Sequence, residues 1–378
     1  MFYTNARIFT SDFQFRNGAF QVTDGVFGEV LPENVPADAI DLQGATVIPG
    51  LIDVHSHGNS GADFSDGDYE GLKAMAAYYA KCGVTSFAPA SMTLPYDVLA
   101  KAFATAKQLV EEKPEGLSVL RGIQMEGPYF SYKKRGAQNA DYLKDPDFEG
   151  FKKLYEDCGG LVRIVDIAPE LPGAAEFVAQ AKALCTVSIA HTDSDYDHAK
   201  AAVDAGVTHL THLYNAMPGI THRAPGPIIA AMEHDAEVEL ITDNVHIHPA
   251  MVRFTFNTFG DDRVCLIADS AISCGLPDGQ YSLGGQAITV KGPRATLTEH
   301  PDTIAGSNTC LYDCMKRAVL EMNVPLESAV RAASETPAKS IGVDNDYGSL
   351  AAGRYGNVIL ADKELNIKAV IQKGNRIV

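Results

Sequence analysis

The sequence predicts an α/β protein: a (β/α)8 barrel of the TIM type over residues 50–343, with a small β-sandwich domain built from residues 1–49 and 344–378. Three observations lead there. Between Val47 and about Ser340, short β-branched apolar runs alternate eight times with longer helix-compatible segments, the pattern of strand–helix units around a parallel sheet. Both ends of the chain instead carry short strand-like pieces broken by Gly and Asn turns. The apolar runs also end, five times in eight, in a residue type that binds metal ions.

The eight runs, in order, are ATVIPGLIDV, GVTSFAPA, SVLRGIQM, LVRIVDIA, CTVSIA, GVTHLT, AEVELIT and DRVCLIA. Val and Ile pack well on a pleated surface, and their near-continuous apolar character marks strands covered on both faces. The segments between them, such as DYEGLKAMAAYYAKCG and PYDVLAKAFATAKQLVEE, are rich in Ala, Lys and Glu, which lose little on entering a helix. Eight such units close a barrel. The terminal pieces are NARIFT, GAFQVTDGVFGEV, GNVILAD and KAVIQKGNRIV, and the two ends together make one small β domain.

Composition limits what such a protein can do. With 378 residues and 46% hydrophobic content the chain can bury a sizeable core. Its formal net charge of −17 repels nucleic acid and anionic membranes, so an anionic substrate would need a locally positive pocket. Seven cysteines, an odd number without C-x-x-C spacing, read as reduced thiols and place the protein in the cytoplasm. No signal-like leader and no run of about 18 apolar residues is present, so a soluble, untargeted protein is expected.

In a barrel, chemistry is carried at the C-terminal ends of the strands. His55 and His57 follow the first run; two apart on extended backbone, their imidazoles point to one side and can grip one ion. Glu126 stands between GIQM and the turn GPYF, His191 ends CTVSIA, His212 ends GVTHLT, and Asp269 follows RVCLIA. Each has a plainer reading: a loop accident for His-Ser-His, a capping acid for Glu126, a satisfied buried acid for Asp269. None of these accounts for the agreement among five strand ends. His209, three residues before His212, reads as a packing histidine within its strand; His198, His234 and His300 lie in polar contexts and read as solvated.

The motifs PGLIDVHSHG, QMEGPYF, HLYNAM, HRAPG, DNVHIHP, ADSAISCGLPDGQYSLGG and IAGSNTC resemble, in the same order, those of the N-acetylglucosamine-6-phosphate deacetylase branch of the amidohydrolase superfamily. They span about 260 residues. The resemblance implies that Glu126, His191 and His212 hold the hydrolytic metal. His55 and His57 would hold a second ion with Glu126 bridging, and Asp269 would transfer the proton. One or two divalent ions are implied, zinc first, with iron, manganese or cobalt as alternatives. The run LVRIVDIAPE contains no lysine that could be carbamylated, unlike dihydroorotase-type relatives.

For the substrate, the resemblance implies contacts from Arg223 and His246 around the sugar phosphate, with His248 second to His246. Asn215, Ala216, Ile304, Ala305 and Gly306 would contact the rest. Ala137 and Gln138 belong to RGAQN, where many relatives have KGAHN, so a glutamine stands where a histidine often polarises the carbonyl. The ending GRYGNVILAD also departs from the family pattern. The implied activity is hydrolysis of the acetamide of N-acetyl-D-glucosamine 6-phosphate to D-glucosamine 6-phosphate and acetate in amino-sugar catabolism, by a homodimer. The galactosamine epimer or another N-acyl compound is the alternative substrate. A non-catalytic scaffold is the remote alternative, and it would be marked by lost ligands, whereas all are present.

Overall fold

The computed structural model describes residues 1–32 and 35–378. The first predicted run is divided at Gly50. Ile40–Pro49 belongs to the sheet of the chain termini, whereas Leu51–Asp53 turns away and pairs in parallel with Val84–Phe87. A side chain at position 50 would run into Thr85, so the crossing from one sheet to the other is possible only for glycine.

Parallel pairing continues from Val84–Phe87 to Val119–Leu120. A six-stranded parallel sheet then runs in sequence order through Ile123–Met125, Val162–Ile167, Thr186–Ile189, His209–Leu210, Glu237–Ile241 and Val264–Ile267. Each predicted run thus contains a parallel strand. The two sheets meet at a parallel bridge between Ala90 and Gln124. On the far side the Asp269 N–H donates to the His55 carbonyl at 2.9 Å and the His57 N–H to the Ser270 carbonyl at 2.8 Å.

Helices cover the outside. Tyr69–Lys81 begins where Asp68 accepts hydrogen bonds from the Glu70 and Gly71 N–H groups, and it buries Leu72, Met75, Ala76, Tyr79 and Ala80. Those positions fall at i, i+3, i+4, i+7 and i+8, one apolar stripe of an α-helix. Phe64, Phe87, Phe103, Phe151 and Phe177 share the same continuous core. Each such side chain contributes about 1.5–3 kcal/mol on burial. No helix among the described residues is long and apolar enough to cross a membrane.

The termini depart from the expected sandwich. Their seven strands hydrogen-bond into one continuous mixed sheet, with Ile40–Pro49 lying between Phe2–Phe9 and Val358–Ala361. Pairing with the following strand shifts register between Tyr3 and Ala6, where Asn5 takes a left-handed φ of 55°. Tyr3, Phe20, Phe27, Val47 and Leu360 form its own core.

A second difference follows the last parallel strand. Gly279–Leu283, Gln286–Lys291, Arg294–Leu297 and Ile304–Ser307 make a four-stranded antiparallel sheet that the sequence reading does not anticipate. Gly284 and Gly285, at φ 55° and 80°, and Gly292, at 59°, allow the tight reversals. The last of these strands carries Ile304 to Gly306 back to the ends of the parallel strands, where Ser270 and Ser307 bridge.

Candidate metal centre

Buried carboxylates and imidazoles from five strand ends converge on one point. Glu126 Oε1 lies 3.0 Å from His191 Nε2 and 3.2 Å from His212 Nε2, and the two imidazole nitrogens are 3.1 Å apart. Its other oxygen, Oε2, lies 3.3 Å from His57 Nε2 and 3.9 Å from His55 Nε2. Donors sharing an ion at about 2.0–2.2 Å sit roughly 3–3.5 Å from one another. Glu126, His191 and His212 already have that spacing, while His55, His57 and Glu126 form a second, looser triad. The two triads share Glu126 through different oxygens.

The donor set fits a divalent cation on independent grounds. His55 Nε2 and Asp269 Oδ1 are buried without any hydrogen-bond partner, which is costly unless something else binds them. Asp269 Oδ1 lies 3.3 Å from His57 Nε2 and 3.8 Å from His55 Nε2. Burial pushes the Glu126 carboxyl up, but hydrogen bonds from His191 and His212 and the charges of His57 and His55 bring it well below the usual carboxylate range. Asp269 is likewise driven up by burial, yet the His57 hydrogen bond and the charges of His55, His57 and His212 take it down to about 2. Glu126 and Asp269 raise His57 and His212 against their burial, and Glu239, followed by Asp269 and Glu126, raises His55. The pocket therefore wants positive charge, and metal ions supply it while leaving the imidazoles neutral.

Ligand orientation is set from behind. His55 Nδ1 is held by Glu239 Oε2 at 2.8 Å, His57 Nδ1 by the Ala90 carbonyl at 3.2 Å, and His191 Nδ1 by the Lys134 carbonyl at 2.9 Å. Each contact leaves Nε2 facing the centre, the usual carbonyl- or carboxylate-backed arrangement of ligating imidazoles. Glu239 Oε2 also accepts the His212 N–H at 3.1 Å, so one carboxylate braces both triads. The sequence reading missed Glu239; its signal is an acid inside the apolar run AEVELIT, fully buried here. His191, His212 and Asp269 adopt left-handed φ values of 43°, 30° and 47°, backbone strain of the kind that collects at functional sites.

The centre opens into a cavity of about 360 Å³. Ala137, Gln138, Asn215, Ala216, His246, Ile304 and Gly306 line it together with Lys133 and Lys134, which the sequence reading missed. Gln138 is buried; its Nε2 donates to Glu126 Oε2 at 2.8 Å while its Oε1 accepts the Thr93 N–H at 2.8 Å. It thus orients the shared carboxylate. His246 is held by Asp243 Oδ2 at 2.8 Å.

Three sequence expectations are placed elsewhere. Arg223 is exposed and does not line the cavity. Ala305 is buried in the core beneath the antiparallel sheet. His248 is exposed and caps a helix by accepting the Ala250 N–H at 3.1 Å, a structural task. His209, expected to pack, is buried with Nδ1 2.9 Å from Ser188 Oγ.

A buried, carboxylate-bridged pair of histidine triads at the ends of parallel strands defines the class of metal-dependent hydrolases, which activate water with one or two ions. The chain belongs to the amidohydrolase family, whose profile matches residues 46–377. It is 33% identical over 97% of its length to N-acetylglucosamine-6-phosphate deacetylase of Bacillus subtilis (strain 168), covering 94% of that protein. It is 29% identical to N-acetylgalactosamine-6-phosphate deacetylase of Escherichia coli O157:H7, covering 97% of each chain. Among solved structures, N-acetyl-D-glucosamine-6-phosphate deacetylase of Mycobacterium smegmatis, a mutant in complex with N-acetyl-D-glucosamine-6-phosphate, superposes with a TM-score of 0.94 at 32% identity. That match covers 100% of this chain and 99% of the other.

Proposed function

We propose that the protein hydrolyses the acetamide of N-acetyl-D-glucosamine 6-phosphate, giving D-glucosamine 6-phosphate and acetate in amino-sugar catabolism. The observation that carries this reading is the pair of triads sharing Glu126 beside the unpartnered Asp269 Oδ1, on a chain similar over nearly its whole length to such deacetylases. Glu126, His191 and His212 would hold one ion, and His55 and His57, with Glu126 bridging, a second. Zinc is the first choice; iron, manganese and cobalt suit the same donors.

When bound, a divalent ion lowers the pKa of water towards about 7 and polarises the acetyl carbonyl. Asp269, ionised and facing the cavity with a free oxygen, takes the proton released by the attacking water. It then returns that proton to the sugar nitrogen as the C–N bond breaks, so the nitrogen leaves as a neutral amine rather than an amide anion, and the acetic acid formed loses its proton to give acetate. Gln138 and Glu239 hold the ligands in place through the contacts described above. Asn215, Ala216, His246, Ile304 and Gly306 position the sugar, and Lys133 and Lys134 place positive charge at the cavity wall for the phosphate. Arg223 would reach a phosphate only through movement of its loop or from a second copy.

We read the two parallel sheets as one closed (β/α)8 barrel. The bridge at Ala90–Gln124 and the Asp269-to-His55 hydrogen bond on the opposite side support this reading. A cytoplasmic homodimer fits seven free cysteines and the exposed Met251 and Phe254, which lie three apart on one helix and would be covered by a second copy. The galactosamine epimer is the second reading, favoured by the full-length similarity to the Escherichia coli enzyme. Assaying both epimers side by side on zinc-loaded protein tests the choice. Faster turnover of the glucosamine compound is expected, and equal or reversed rates would overturn it.

A further inference from the structure

A second cavity of about 400 Å³ lies where the terminal sheet meets the parallel strands. Leu117 to Arg121 line it, around the N-terminal end of the Val119–Leu120 strand, so it opens at the pole opposite the metal centre. From the terminal segments come Tyr347, Tyr355, Gln372 and Lys373.

Three cations face this space: Lys113, Arg121 and Lys373. In a chain of net charge −17 they would be expected to find carboxylates, yet among the described residues none of them makes a salt bridge or a side-chain hydrogen bond. Arg121 Nε is buried without a partner. The guanidinium lies 5.2 Å from the centre of the Tyr347 ring, and the Lys373 ammonium 3.9 Å from that of Tyr355. The two rings are 5.0 Å apart at 69°, which makes them a firm wall. Burial and the charge of Arg121, then that of Lys113, depress Lys373 against the opposing pull of Asp346, so the cations repel one another across the cavity. Glu115 is the one carboxylate in the lining. Repelling cations without partners, set against aromatic rings, are arranged for an anion that also carries an apolar part.

We propose that this cavity binds an organic phosphate. Lys113, Arg121 and Lys373 hold its charged head, and a ring or apolar portion lies against Tyr347 and Tyr355. The ligand touches both the parallel-strand body and the terminal sheet, so binding ties the two together and stabilises the fold. The proposal is independent of the reaction at the metal centre.

The test is calorimetric titration of metal-loaded, full-length protein with phenyl phosphate, against K113Q, K373Q and the R121Q/K373Q double variant. Two classes of sites are expected in the unaltered protein, because the catalytic cavity also attracts phosphate. Each single substitution should weaken one class by about tenfold, the loss of one charge-assisted contact, and the double variant should abolish it, with deacetylase turnover unchanged in all three. Lys113 and Lys373 are exposed, so their variants keep the test valid should loss of Arg121 disturb folding. Inorganic phosphate should bind the same class about tenfold more weakly than phenyl phosphate. A single class of sites untouched by these substitutions overturns the proposal, and equal affinity for the two phosphates overturns the role of the tyrosines.

Discussion

Asp269 combines burial with a carboxylate oxygen, Oδ1, that lies 3.3 Å from His57 Nε2 and makes no hydrogen bond. Asparagine keeps its shape and cannot carry a proton. Asp269→Asn should therefore retain bound metal, measured by elemental analysis, while kcat falls by roughly 10²–10⁴, the usual range for a general acid–base group. Glu239 never faces the cavity and acts through His55 and the His212 backbone. Glu239→Gln should lower metal affinity by roughly 10–100-fold, chiefly at the His55 and His57 position, so that metal content after dialysis falls below that of the unaltered protein. A variant with the metal content of the unaltered protein after dialysis would remove that bracing role. Burial lifts the Asp53 carboxyl to about 7, only partly offset by the Ala268 and His55 N–H groups and the charge of His55. Its folded pKa lies above the unfolded value, so the folded state binds the extra proton between about pH 4 and 7 and stability declines as pH rises through that window. The limit is about 4 kcal/mol, at about 1.4 kcal/mol per unit. Melting temperatures at pH 5 and pH 8 should differ less in Asp53→Asn than in the unaltered protein.

At the scale of elements, the strands that carry ligands were legible because two requirements coincide. A buried parallel strand must be apolar, and a residue able to chelate can stand only where it ends, so His55, His57, Glu126, His191 and His212, which the structure brings together, and Asp269 beside them each mark a change from apolar to polar. Glu239 escaped because it interrupts a run instead of ending one, and an acid in mid-strand looks like an edge residue until its partner across the sheet is known. Lys133 and Lys134 escaped for a different reason. They lie in a loop whose path depends on contacts from distant segments, among them the Ser131 N–H bond to the His191 carbonyl. Arg223 shows the reverse error, a motif residue whose loop leaves it outside the cavity of its own chain. The antiparallel sheet over 279–307 was passed over because its strands are only four to six residues long and are not continuous apolar runs, although Ile288 and Val290, and Ala295 and Leu297, alternate with more exposed neighbours. Helix ends are easier: Asp68 alone satisfies two N–H groups of the Tyr69–Lys81 helix. Asp68→Ala should cost about 1 kcal/mol in denaturant unfolding without altering turnover.

For the whole molecule, ions held at the candidate centre would be part of the fold. A centre with several buried acids and imidazoles is stable only with compensating charge, so chelation should lower the melting temperature as well as abolish activity. Metal at a hundredfold excess over its Kd contributes about 2.7 kcal/mol per site, and calorimetry with and without a chelator measures it. Unchanged melting after complete metal removal would mean that the centre is filled by protons and water at no cost. The acidic surface and the cavity at the opposite pole are then complementary: the bulk charge of −17 keeps most anions away, and Lys113, Arg121 and Lys373 decide where one is admitted.

The chain's passage through Gly50 has a mechanical meaning. His55 stands only a few residues beyond the strand that Thr46–Pro49 contributes to the terminal sheet, and that strand is clamped by Val358–Ala361 from the other end of the chain. The first-strand histidines of the candidate metal centre are thus tethered to the C-terminus, hundreds of residues away in sequence, by a rigid lever with glycine as its fulcrum. Truncating the last strands would slacken that lever, and the first injury should be loss of grip on an ion rather than loss of the parallel-strand core.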